Sequence, residues 1–107
     1  MNGIERIAKE RARQISEEGW TPEHDDRRLA GSLVKAAACY TVEGTDARVL
    51  VVRDGYADGS IHFDDAWPWD GKWDKRKKHD KLRRLEIAGA LIAAEIDRLL
   101  REKEKTK

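Results

Sequence analysis

The sequence predicts a mainly α fold: three principal helices, a small β-hairpin and a long tryptophan-rich loop, forming a single domain over residues 1–107. Three observations carry this reading. Apolar residues recur at helical spacing near both ends of the chain and again over 27–42. A valine-rich run with Asp-Gly turn signals breaks that period between 47 and 63. Three of the four tryptophans crowd into the short charged segment Trp67-Pro68-Trp69-Asp70-Gly71-Lys72-Trp73.

The elements follow in order. Residues 2–18 read as an amphipathic helix whose apolar face is Ile4, Ile7, Ala8, Ala12 and Ile15, with Gly19 as its C-terminal stop. Thr21 reads as an N-cap and Pro22 as the first residue of a short turn. Asp25 and Asp26 are placed to cap a second helix over 27–42, with Leu29, Ala30, Leu33, Val34, Ala37 and Tyr40 on its apolar face and Gly44 ending the segment. Val49 to Val52, the turn signals Asp54-Gly55 and Asp58-Gly59, and the alternating Ile61 and Phe63 predict the hairpin. Residues 64–78 carry Pro68 and Gly71 without a period, and predict an ordered loop. Asp80 caps a final helix over 80–103. Its apolar face is Leu82, Leu85, Ala88, Gly89, Ile92, Ile96, Leu99 and Leu100, widened by Ile87, Leu91 and Ala94, and the tail 101–107 is expected to fray.

Composition narrows the function classes. Charged residues make up 40% of the chain, yet the net charge is only +1, which argues against a protein that coats DNA without selectivity. The single cysteine, Cys39, sits among alanines and reads as a buried thiol. No signal peptide is evident and no apolar run approaches the roughly 20 residues needed to span a bilayer, so a soluble protein of a reducing, cytoplasmic compartment is expected.

Catalytic and metal motifs are weak. His24-Asp25-Asp26 has the order of a metal-binding pair that His62, His79 and Asp80 could complete, but nothing in the spacing specifies it, and a capping and surface role is preferred. Neither a phosphate-binding glycine loop nor a nucleophile–histidine order is present. The chain is therefore expected to bind rather than to catalyse, without cofactor or metal.

The binding reading rests on the tryptophans and the charges beside them. Between Lys72 and Arg84 there are eight basic residues against two acidic ones. Indole faces interleaved with cations suit a planar, phosphorylated ligand, because stacking one base on an aromatic ring is worth roughly 1–3 kcal/mol and a cation on phosphate adds a charge-assisted bond. The expected ligand-binding residues are Trp20, Thr21, His24, Asp25, Trp69, Trp73, Lys75, Lys78 and Lys81, with Trp67 pinning the loop.

Two resemblances refine this. Ile4 to Thr21, with its Gly19-Trp20-Thr21 bend, resembles the opening of the RyR domain of ryanodine receptors and of bacterial and phage proteins. Lys77-Lys78-His79-Asp80-Lys81 is similar to the lysine and aspartate-arginine that start that domain's last helix, with lysine in place of arginine. The family's middle His-Pro and leucine-proline stretches have no counterpart here. The combination ISEEGWTPEHDD, Ala-Ala-Cys-Tyr, WPWD and Ala-Gly-Ala-Leu-Ile is similar to small proteins of tailed phages and prophages. The resemblances imply a phage accessory protein in the bacterial cytoplasm that sequesters a nucleotide-derived immune signal, a cyclic nucleotide or an ADP-ribose derivative. The alternatives are a module that inhibits a host protein, or a nucleic-acid-binding accessory protein. The alanine-rich faces of the second and last helices also allow a homo-oligomer.

Overall fold

The computed structural model describes residues 1–26, 31–45, 48–53, 56–62 and 67–105. Four α-helices account for most of them: α1 (Gly3–Glu18), α2 (Pro22–Asp26), α3 (Ser32–Val42) and α4 (Lys81–Lys105). Two strands, β1 (Arg48–Arg53) and β2 (Tyr56–His62), pair antiparallel between α3 and the tryptophan segment.

A mainly α architecture stands, but the three-helix plan is corrected. The stretch after Gly19 forms a helix of its own, α2, because the Thr21 hydroxyl caps it by accepting the His24 N–H at 3.3 Å. Asp25 and Asp26 thus lie inside α2 instead of capping a helix from 27. Gly31, with φ 81°, precedes the helix that follows, and residues 27–30 lie outside the described residues. The tryptophan segment is not a long loop either. Two 3₁₀ turns, Gly71–Trp73 and Arg76–Lys78, fold it onto the helices. Within the strands, Asp58-Gly59 makes no turn: it sits in β2 opposite Val51, where the register shifts between Leu50 and Val52. The other turn signal, Asp54-Gly55, and Phe63 fall outside the described residues. Nor does the C-terminus fray at 101, since the Arg101 guanidinium reaches back to the Pro22 carbonyl at 3.2 Å and to Asp26 at 2.8 Å.

The caps behave as their chemistry demands. Asn2 and Glu5 form a reciprocal capping box at the start of α1, and Gly19 ends that helix at φ 71°. Asp80 accepts the Arg83 N–H at 2.9 Å at the start of α4.

The core lies between α3 and α4, where Leu33, Ala36, Ala37 and Tyr40 meet Ile87, Ala88, Leu91 and Ala94. Alanines on both helices let the backbones approach closely, and Cys39 is buried beside them. The face of α4 expected to be buried mostly points outward. Leu82, Leu85, Ile92, Ile96, Leu99 and Leu100 are each between 42% and 55% exposed, and the supposed widening residues Ile87, Leu91 and Ala94 make the core.

The first helix is inverted in the opposite sense. Its buried residues are Glu10, Arg11 and Gln14, whereas Ile4 is 81% exposed and Ile15 and Ala8 also face out. Of the predicted apolar face, Ile7 does pack: a Cβ on Gly89 of α4 would stand 2.5 Å from its Cδ1, so Gly89 makes room for it. No helix among the described residues is long and apolar enough to cross a membrane.

Candidate functional site

The buried polar face of α1 forms one wall of a cleft of about 600 Å³. Glu10, Arg13, Gln14 and Glu18 come from α1, Trp20 and His24 from the bend and α2, and Trp69, Asp70, Trp73, Lys75 and His79 from the tryptophan segment. Tyr40 and Ile87 reach it from the core helices.

The cleft begins from one buried carboxylate. Glu10 accepts from the Arg13 guanidinium at 2.7 and 3.0 Å, from Arg83 of α4, and from the Gln14 amide at 3.1 Å. Burial alone would push its carboxyl up, but the hydrogen bonds from Arg13 and Arg83 outweigh that and hold it below the ordinary glutamate range. Arg13 also reaches Glu18 at 2.8 Å, so its charge is largely taken up inside the network. Gln14 is fully buried, and its carbonyl oxygen has no hydrogen-bond partner among the described residues. An acceptor in that state costs stability unless something donates to it.

Indoles build the opposite wall. Trp67 packs edge-on against Tyr40 at 5.8 Å and against Trp69 at 5.4 Å, and Trp69 meets Trp20 at 6.3 Å, all T-shaped. Below them Arg76 is buried. It grips Asp74 through two hydrogen bonds of 2.8 and 2.6 Å, lies 3.7 Å from Glu43, and sits 5.2 Å over the Trp67 ring. The Asp74 carboxyl is held below the usual carboxylate range by that guanidinium. Arg76, one of the eight cations of the basic run, thus serves to fix the fold of the loop. Trp67, packed against Tyr40, Trp69 and Arg76, is its anchor.

Trp73 differs from the other indoles. It is 55% exposed, with the Lys72 ammonium 5.3 Å over its ring. His79 is held below its usual range by burial and by the nearby Arg83 charge, which favours the neutral imidazole, a donor of one hydrogen bond and an acceptor of another. Burial pushes the Tyr40 hydroxyl up to about 12.

Of the nine residues expected from the sequence, the cleft brings together Trp20, His24, Trp69, Trp73 and Lys75. Thr21 instead caps α2. Asp25 is fully buried, its carboxylate 2.8 Å from Arg11, which also donates to the Trp20 carbonyl. Lys78 and Lys81 lie exposed in the second 3₁₀ turn and at the start of α4, and neither lines the cleft. Missed were Tyr40, Asp70, His79 and Ile87, and above all Glu10, Arg13, Gln14 and Glu18 of α1. Their i, i+4 spacing at 10, 14 and 18 was a visible polar stripe, but it reads as solvent-facing when the isoleucines are assigned to the core.

Chemically the cleft offers flat apolar walls, a buried acceptor, neutral imidazole and one prominent cation, Lys75. Among the described residues no three His, Cys, Asp or Glu side chains gather to hold a metal. Compared with known proteins, the chain matches no family model, no curated protein and no solved structure.

Proposed function

We propose that this chain is a non-enzymatic binding protein that holds a small nucleotide-derived ligand, a cyclic nucleotide or an ADP-ribose derivative, in the indole-walled cleft. The observation that supports it most is the lining of that cleft, where Trp20, Trp69 and Trp73 come together with Lys75 and His79. A nucleobase would stack on one of these indoles while a phosphate meets Lys75. The charges limit the phosphates. Glu10, Glu18 and Asp70 stand against Arg13 and Lys75 in the lining, so a ligand of low negative charge is favoured over a polyphosphate. In the setting implied by the phage-protein resemblance, such binding would withdraw an immune signal from its receptor in the bacterial cytoplasm.

Titrating tryptophan fluorescence with cyclic mononucleotides, cyclic dinucleotides, ADP-ribose and cyclic ADP-ribose tests the reading. Saturable quenching by one class is expected, with the ligand recovered intact after denaturation. Lys75→Ala should weaken that binding about tenfold, the worth of one charge-assisted contact. Altered ligand would mean an enzyme, and no quenching across the panel would end the nucleotide reading.

A further inference from the structure

The outward apolar face of α4 is too regular to be incidental. Leu82, Leu85, Gly89, Ile92, Ile96 and Leu99 follow one another at alternating steps of three and four, the spacing of a coiled-coil seam. Ile7 of α1 seats on Gly89, so the one position without a side chain is filled by an isoleucine. Five of the six positions carry leucine or isoleucine at 42% to 55% exposure, over about 26 Å of helix. A monomer seldom presents a continuous apolar strip of this length to water.

We propose that this face is the seam of an antiparallel homodimer, α4 against α4 of a second copy. A 3–4 seam requires a helix of the same spacing as its partner, and α4 supplies it. Reversal of the partner is chosen by charge. The positions flanking one edge of the seam are Lys81, Ala88, Glu95 and Glu102, basic at the helix start and acidic at its end. When the second helix runs the other way, Lys81 of each copy meets Glu102 of its partner. A parallel pair would bring Lys81 to Glu86, which is largely buried and held by both Arg6 and Arg83, whereas Glu102 is exposed and has Arg98 at 3.2 Å as its ion-pair partner. The two-fold axis then falls between Gly89 and Ile92, and the cleft, on the α1 and tryptophan-loop side, stays open in both copies. The seam stands independently of the ligand reading.

Sedimentation velocity on the full chain across a micromolar dilution series tests the proposal. Twice the chain mass is expected for the wild type. The double variant Ile92→Glu/Ile96→Glu should sediment as a monomer with unchanged helical circular dichroism, because both side chains already face out. Lys81→Glu and Glu102→Lys should each weaken the dimer by roughly two- to tenfold, as surface ion pairs do, and the two together should restore it. A wild type that stays monomeric at every concentration overturns the proposal, as does a dimer that survives the double glutamate variant. Charge reversals that fail to rescue each other overturn the antiparallel arrangement.

Discussion

Helices α1 and α4 lie side by side and each contradicts its own hydrophobic pattern, in opposite directions. The first turns Glu10, Arg11 and Gln14 inward and leaves Ile4 in water; the last keeps Ile87, Leu91 and Ala94 inside and exposes a whole second apolar stripe. The physical reason is shared. Once α3 and α4 have closed over their alanines, α1 meets a side of α4 that presents Arg83, Glu86 and Gly89, and only a polar face can satisfy those charges. Burying charge is costly unless it is paired, and Glu10 and Arg11 are paired with Arg13, Arg83 and Asp25.

The largest effect is expected away from both helices, at the arginine that holds the tryptophan wall. Arg76→Ala leaves Asp74 and Glu43 without their cation and uncovers Trp67. A loss of about 3 kcal/mol or more is predicted, visible as a drop in Tm in a thermal melt. A melt unchanged by this variant would show that the loop is not fixed in this way.

Gln14→Leu separates stability from binding. It removes the unpartnered carbonyl oxygen together with one hydrogen bond to Glu10, so stability should change by no more than about 1 kcal/mol in either direction, and ligand affinity should be unchanged because no atom of Gln14 is exposed. A variant that unfolds, or one that no longer binds, would contradict that separation.

Acid should reveal the same network. The Glu10 and Asp74 carboxyls are depressed in the folded protein, so their contribution is fully present above their unfolded values and disappears as pH falls through the folded ones. Stability measured by denaturant titration should therefore decline below about pH 4, and Glu10→Gln should flatten that decline. A profile identical in the variant would contradict the carboxylate's role.

The smallest effect belongs to Ile4. At 81% exposure, Ile4→Ser should alter stability by less than about 0.5 kcal/mol. A loss several times larger would mean that α1 packs on its isoleucines after all.

What the sequence made legible was local. The Gly19 stop, the Thr21 cap, the Asp80 cap, the extent of α4 as far as 103 and the anchoring role of Trp67 each depend on residues within a few positions of one another. The choice between faces was not legible, because α1 and α4 each carry two stripes that could be buried, and a tertiary partner decides which one is. The candidate site shows the same division. Its indoles stood out by composition, but Glu10, Arg13 and Gln14 were hidden on a face that amphipathicity assigns to water. Lys78 and Lys81 are near Trp73 in sequence, but their places in the second 3₁₀ turn and at the start of α4 leave them outside the cleft lining.

The claim that this cleft is a ligand site is tested most directly by ¹⁹F NMR of the protein labelled with 5-fluorotryptophan, titrated with the nucleotide panel. Each indole gives its own resonance, and substitution of each tryptophan by phenylalanine assigns it. The resonances of Trp69 and Trp73 should shift most, that of Trp20 with them, and that of Trp67, locked between Tyr40 and Arg76, least. A spectrum unmoved by every ligand, or one in which Trp67 alone responds, would contradict the account.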